Sequence, residues 1–230
     1  MRVHTCVCHS SLSEGNPVQH DIASLRKEYK REELTESSVA RNPFEQFRHW
    51  FDEALSAGVP EPTAMTLATA DEHGVPSART VLLKGFDEAG FVWYTNYASE
   101  KGRCLEQNPV AALLFFWPDL ERQIRIAGRV ERVSREESEA YFHSRPRESQ
   151  LGAWASQQSA VVASRDDLDA SFAAVQQQFA EGDIPLPPTW GGYRLSPLTI
   201  EFWQGRPSRM HDRIRYRKDG EQWVTERLAP

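Results

Sequence analysis

The sequence predicts a mainly β protein, an antiparallel barrel with helices at its ends. Short β-prone runs such as AMTLATA (64–70), FVWYT (91–95) and YRLSPLTIEFW (193–203) recur along the chain. Most successive runs are joined by links of turn length, DEHG and KDGE among them, which favours antiparallel neighbours. Helical apolar spacing is confined to a few short segments between the strands.

Each element has its own signal. Residues 1–20 are polar without a period and are expected to form a disordered tail; residues 21–230 are expected to form a single domain. Ile22, Leu25 and Tyr29 recur at helical spacing over 21–29. Phe44, Phe47, Trp50, Phe51 and Leu55 make an apolar stripe on a helix over 43–57, read as core packing. Strands follow at 64–70, 77–84 and 91–95, with GFDEAG as the turn between the last two. A short helix around 99–107 stops at Asn108-Pro109. The unbroken apolar run VAALLFFW (110–117) reads as a fully buried strand. Over 121–133, Ile124, Ile126 and Val130 share one face, while Gln123, Arg125 and Arg129 share the other. Ser134, with Glu137 three residues on, has the form of a capping box and starts a helix. Another helix covers 166–180. PLPPTWGG separates it from strands at 193–203, 213–217 and 222–228, with KDGE between the last two.

Bulk properties narrow the function. With 27 basic and 33 acidic residues the net charge is −6, and no long basic run is present to neutralise a nucleic-acid backbone. No apolar stretch is long enough to span a membrane, so neither nucleic acid nor membrane is an expected partner. The first 15 residues lack the apolar core of a secretory leader. Three cysteines in 230 residues fit a reducing, cytoplasmic compartment without a disulfide framework. His4, Cys6, Cys8 and His9 are spaced more tightly than zinc patterns, and no metal is expected.

GxGxxG after a strand, GxxxxGK[ST], HExxH and GxSxG are all absent, so any phosphate must be held by side chains on strands and helices. Three basic clusters qualify. One is Arg79 with Lys84. The second is Tyr141, Arg145, Arg147 and Ser149 in YFHSRPRES. The third is EFWQGRPSRMHDRIRYR (201–217), five arginines around His211. Any one of these reads as a solvated patch. Three in an acidic chain, two with hydroxyls interleaved, point to anionic small molecules. On a strand, Arg209, His211 and Arg213 would share a face, and the arginines would keep the imidazole neutral.

These residues resemble the pyridoxamine 5′-phosphate oxidase family. IEFWQGRPSRMHDR is similar throughout to its C-terminal signature, and RTVLLK, FVWYTN, LERQI, YFHSRPRESQLGAWAS, PLPPTWGGYR and ERLAP follow the family in the same order. The likeness covers roughly residues 21–230. It implies a split β-barrel with peripheral helices and a homodimer with FMN at the subunit interface. It also implies oxidation of pyridoxamine or pyridoxine 5′-phosphate to pyridoxal 5′-phosphate, with O₂ reduced to H₂O₂.

Site roles follow from the resemblance, position by position. Arg79, Thr80, Val81, Leu82, Leu83 and Lys84 match the FMN-contacting strand, and Lys84 also matches a contact to the substrate phosphate. Tyr94, Thr95, Lys101, Gln123, Gln158, Ser159, Trp203 and Arg213 match further FMN contacts. Tyr141, Arg145 and Ser149 match the substrate-phosphate clamp. Arg209, Met210 and His211 match the segment that holds the pyridine ring, with Arg209 and His211 as the catalytic pair. Arg26, Lys27, Glu28 and Tyr29 resemble a segment folding over the substrate. Spacing alone would not join Arg79 to Lys84, since five residues along a regular strand they face opposite sides. The chain also departs from the family. It has SEK where SRK is usual, so Glu100 is left out of the expected site and Arg103 is considered in its place. Two other readings compete: a split-barrel flavin or deazaflavin reductase, and a non-catalytic carrier of FMN or pyridoxal phosphate. The RMHDR and YFHSRPRES segments weigh against the first, and the intact set Lys84, Tyr141, Arg145, Ser149, Arg209 and His211 weighs against the second.

Overall fold

The computed structural model describes Tyr29 and residues 33–230. The expected tail, the helix over 21–29 short of Tyr29, and the candidates Arg26, Lys27 and Glu28 lie outside the described residues.

Among the described residues nine strands form one antiparallel sheet: β1 (Ala64–Ala70), β2 (Pro76–Leu82), β3 (Gly85–Asp87), β4 (Gly90–Asn96), β5 (Val110–Trp117), β6 (Arg122–Arg132), β7 (Trp190–Gln204), β8 (Asp212–Asp219) and β9 (Gln222–Arg227). Their order is β2-β1-β5-β6-β7-β4-β3, with β8 and β9 continuing from β7. Alternation sends one face of each strand inward, and the sheet curls into a half-barrel of the split-barrel type. Inside lie Leu67, Trp93, Phe115, Ile124, Phe202 and Tyr216, all essentially without solvent contact. The long β7 changes partners along its length, taking β4 at its start and β8 at its end.

Helix α1 (Pro43–Ser56) packs on this core. Asn42 caps it by accepting the Phe44 N–H at 2.8 Å, and Pro43 sits in the first turn where a missing N–H costs nothing. Phe44, Phe47, Trp50 and Ala54 are buried, and Phe47 meets Phe86, Phe91 and Phe115 edge-on at 4.8, 4.9 and 5.3 Å. Each such ring contributes roughly 1.5–3 kcal/mol by burial. Leu55, read as part of the stripe, is instead 53% exposed.

Three expectations change. GFDEAG is not all turn: Gly85–Asp87 pairs with β4 as a short strand. VAALLFFW is buried on one face only; Val110 and Phe116 stand outward and exposed. Helix α4 (Arg147–Ala155) was not expected between α3 (Arg135–Ser144) and α5 (Arg165–Gln178). It has no side-chain N-cap, so its sequence carries little signal. Tertiary bonds hold it instead: Trp154 Nε1 donates to Pro185 O at 2.7 Å and Ser171 Oγ to Ala155 O at 2.8 Å. Phe142, Leu151, Ile184, Leu186 and Trp190 form a second small core under these helices. No helix among the described residues is long and apolar enough to cross a membrane.

Candidate functional site

A cavity of about 930 Å³ opens between β2, β4, the start of helix α2 (Glu100–Gln107) and the α3–α4 corner. Its lining brings together Arg79, Thr80, Val81, Leu82, Lys84, Tyr94, Thr95, Lys101, Tyr141, Arg145, Ser149, Gln158 and Ser159. Arg79 and Lys84 meet there because β2 ends at Leu82. The Leu83 N–H then donates to Thr63 O and the Lys84 N–H to Val92 O, each at 2.8 Å, so the chain changes ladder partner and strict alternation lapses. Leu83 pays for this turn with its side chain, which enters the core instead of the cavity.

Cations dominate the cavity: among the described lining residues Arg79, Lys84, Lys101 and Arg145 stand against one carboxylate, Glu100. Arg79 is fixed by Nη1 bonds to Thr69 Oγ1 (2.8 Å) and Leu67 O (3.2 Å), and by an Nη2 bond to Ser77 Oγ (2.5 Å). Lys101 is buried in the first turn of α2, where Ser99 accepts the Gly102 N–H as N-cap. Its Nζ donates to Gln158 Oε1 at 3.0 Å and to Thr95 and Ser99 hydroxyls at 3.4 Å. Burial, then Arg79, push this ammonium's pKa down. The helix lies this close because position 102 is glycine; a Cβ there would fall 2.0 Å from Tyr97 O.

Arg145 follows the last residue of α3 in extended backbone, ahead of Pro146. Its guanidinium sits 4.7 Å from the Trp190 ring centroid and 5.7 Å from that of Phe142. Its Nη1 is buried without a hydrogen-bond partner among the described residues, and burial lowers its pKa. Beside it Tyr94 stacks on Tyr141 at 3.9 Å and runs nearly parallel to Trp190 at 5.6 Å. A Cβ on residue 192 would lie 2.7 Å from the Tyr94 ring, so Gly192 makes room for this stack. Burial, then Glu137, push the Tyr94 phenol up to about 12, and it stays a neutral donor.

Three charged residues behave otherwise than expected. Glu100 does not turn away: it lines the cavity, accepts the Ser77 hydroxyl hydrogen bond, and lies 3.6 Å from Arg79 Nη2. Arg103 does not stand in for a cation there, since its Nη1 is bonded to Ala98 O at 2.6 Å. Arg147 likewise leaves its cluster, donating to the carbonyls of Phe179 and Gly182 at the end of α5. Ser77, Asn96 and Trp190 also line the cavity without having been singled out; for Trp190 the signal was the PLPPTWGG segment itself.

The remaining candidates lie apart from this cavity. Gln123 pairs with Trp203 across β6 and β7, and Trp203 with Arg213 across β7 and β8, a row on the outer face of the sheet. Arg213 Nε donates to Glu201 Oε1 at 2.8 Å, which raises its pKa. Tyr29 packs edge-on to Trp203 and His211 at 5.6 and 5.7 Å, and His211 lies 4.7 Å from Trp203. The expectation that Arg209, His211 and Arg213 share a strand face fails. Pro207–Arg209 is a 3₁₀ turn, with Ser208 and Arg209 at φ of 56° and 61°, and β8 begins only at Asp212. Proline cannot extend the ladder, and the tight turn carries Arg209 and Met210 out to solvent. His211 Nδ1 accepts the Arg206 N–H at 3.1 Å; burial, then Arg209, lower its pKa, so the ring is neutral with its proton on Nε2. Arg206, Arg215 and Arg217, the remaining arginines of that stretch, are ion-paired with Glu33, Asp212 and Glu226.

Comparison with known proteins bears on the whole chain. Residues 51–179 match the family described as pyridoxamine 5′-phosphate oxidase, and residues 190–230 match the pyridoxine 5′-phosphate oxidase C-terminal dimerisation region. The pyridoxine/pyridoxamine 5′-phosphate oxidase of Acaryochloris marina is 55% identical over 219 residues, covering 95% of this chain and 100% of its own. That of Bordetella petrii is 58% identical, covering 91% and 99%. Among solved structures, PhzG from Burkholderia lata 383, in complex with tetrahydrophenazine-1-carboxylic acid, superposes with a TM-score of 0.81 at 31% identity, covering 86% of this chain and 98% of that one. A pyridoxamine 5′-phosphate oxidase-related FMN-binding protein of Nostoc punctiforme shares the fold, with a TM-score of 0.65 at 21% identity over 80% and 97% of the two chains. With its split barrel, its dimerisation region and relatives matched over nearly their full length, the chain belongs to the pyridoxine/pyridoxamine 5′-phosphate oxidase family of oxidoreductases.

Proposed function

We propose that the protein is an FMN-dependent oxidase converting pyridoxamine and pyridoxine 5′-phosphates to pyridoxal 5′-phosphate in the cytoplasm. The observation that carries the reading is Arg145, a half-buried side chain whose buried Nη1 has no hydrogen-bond partner among the described residues, in a cavity whose described lining sets four cations against one carboxylate. Charge held in that way is suited to a phosphate that arrives with the ligand. The cavity's size falls within the roughly 300–1,000 Å³ usual for cofactor sites.

FMN supplies the two-electron chemistry, with O₂ as final acceptor; the alcohol gives the aldehyde and H₂O₂, and the amine also consumes water and releases ammonia. The chain's residues bind and orient. In this reading Arg79, Lys101, Thr95, Gln158 and Ser159 hold the FMN phosphate end. Lys84, Tyr141, Arg145 and Ser149 hold the substrate phosphate, and neutral His211 with Arg209 steadies the pyridine ring. Gln123, Trp203 and Arg213 complete the flavin site from a second subunit. Support for that homodimer comes from the match of residues 190–230, which carry Trp203, Arg209, His211 and Arg213, to a dimerisation region. Outward Val110 and Phe116 are apolar surface that a second copy would cover. The single-domain assignment of 21–230 agrees with one sheet shared by both matched regions.

The purified protein should show flavin absorption. Supplied with FMN and pyridoxine 5′-phosphate it should release H₂O₂ in step with aldehyde. No turnover of either phosphorylated vitamer would overturn the assignment, and tetrahydrophenazine-1-carboxylic acid is the comparison substrate to run beside them.

A further inference from the structure

We propose that Glu100 is an internal competitor for the cofactor phosphate, a carboxylate that sets how tightly this chain holds a phosphorylated flavin. The proposal rests on the FMN reading above and concerns the same cavity.

Glu100 is the first residue of α2 and lines the cavity. It accepts the Ser77 hydroxyl and lies 3.6 Å from Arg79 Nη2. Arg79 does not need it for position, because Thr69, Leu67 O and Ser77 already fix the guanidinium. What Glu100 adds is negative charge, which is also what a phosphate would bring. Its side chain is 56% exposed against 19% for Arg79, so the carboxylate can move into water while the guanidinium stays. Ser77 and Arg79 face it from β2, and Lys101 and Arg103 from α2. Arg103 is held by Ala98 O, and Lys101 makes no ion pair among the described residues. A phosphate bound at Arg79 and Lys101 therefore meets the Glu100 charge at close range, and either repels it or displaces it from Arg79.

The test compares flavin-free wild-type protein with Glu100→Gln and Glu100→Asp, titrated with FMN and with riboflavin and followed by flavin fluorescence quenching. Glutamine keeps the shape and can still accept from Ser77; aspartate keeps the charge. Screened repulsion at an exposed site is worth about three- to tenfold in affinity, so Glu100→Gln should bind FMN tighter by that factor. Riboflavin, lacking the phosphate, should bind both proteins equally, and Glu100→Asp should follow wild type for FMN. Unchanged or weaker FMN binding by Glu100→Gln would overturn the proposal and make Glu100 a support for Arg79. Equal tightening of both flavins would overturn it as well. Binding of neither flavin by wild type would sink the FMN reading itself, and this proposal with it.

Discussion

Replacing Arg145 with methionine separates a ligand-binding role from a structural one. Its Nη1 is buried without a partner among the described residues, and its guanidinium lies against the Trp190 and Phe142 rings. An unsatisfied buried donor costs about 1–3 kcal/mol, while a desolvated cation–π contact returns about 0.5–2 kcal/mol. Methionine keeps a flexible apolar stem against Trp190 and removes the stranded donor. The two effects nearly cancel, so stability should be unchanged or rise by up to about 1 kcal/mol, a shift of roughly 2–4 °C in Tm for a chain of this size. Substrate binding should respond differently. A charge-assisted bond to phosphate is worth about 1.5–3 kcal/mol, so kcat/KM for pyridoxine 5′-phosphate should fall about 10- to 150-fold, mostly through KM. Thermal unfolding of the free protein and steady-state H₂O₂ release measure the two sides, with flavin affinity as a control. A Tm loss of more than about 6 °C with KM unchanged would refute the reasoning, because Arg145 would then be holding the α3–α4 corner together.

Other predictions follow from the same geometry. His211 should titrate below the ordinary histidine value of about 6.5, readable by NMR, because burial and Arg209 disfavour the cation and Nδ1 is occupied by the Arg206 N–H. With its folded pKa depressed, the stabilisation it brings is full above the unfolded value and fades as pH falls toward the folded one; a His211→Asn variant should lose that part of the acid-side decline in Tm. Lys101→Met should weaken FMN binding at least about tenfold while leaving the helix intact, since it removes the ammonium that the proposed function assigns to the FMN phosphate and that has no carboxylate ion pair among the described residues. Gly192→Ala should disrupt the Tyr94–Tyr141 stack, because its Cβ meets the Tyr94 ring; reduced flavin affinity with a lowered Tm would show it. Phe47→Ala should cost about 3–5 kcal/mol in denaturant unfolding without a specific effect on KM, as a cavity in the barrel core.

Most strands were legible because their apolar pattern is local, and α1, α3 and α5 because capping and spacing sit inside the element; β3 was not, since Gly85–Asp87 is a strand only through its pairing with β4. Helix α4 was not, since its stability comes from Trp154 and Ser171 bonds to distant segments. The cavity was partly legible. Arg79 and Lys84 could be nominated as a basic pair, yet strict alternation placed them on opposite faces. Only the change of ladder partner after Leu82, from Thr63 to Val92, reunites them. His211 illustrates the opposite failure. A strand was the natural reading of alternating RxHxR, but Pro207 and two residues at positive φ turn that stretch into a corner. A neutral imidazole was expected from Arg209 and Arg213; it arises instead from burial first and Arg209 second, with Arg213 bonded to Glu201. Glu100 was judged by charge alone, which could not foresee that Ser77 and Arg79 would hold it in the cavity.

The run VAALLFFW bears on the proposed dimer. Eight apolar residues in a row describe a strand removed from water on both faces, yet in one chain Val110 and Phe116 remain exposed. Phe116 pairs with Gln123, which pairs with Trp203, which pairs with Arg213, so the exposed ring belongs to the row assigned to the flavin's far side. The cavity holding Arg79 and Lys101 and the row holding Trp203 and Arg213 belong to different surfaces of one chain. Under the proposed function they serve one flavin only when two copies meet. Activity should then follow dimer concentration on dilution. A charge at the row's apolar end, Phe116→Glu, should lower both the dimer fraction and flavin retention while leaving the fold of each chain intact, because that side chain contributes nothing to the barrel core. Full flavin retention by a monomeric Phe116→Glu protein would show that one chain's cavity is sufficient, and would remove the row from the site.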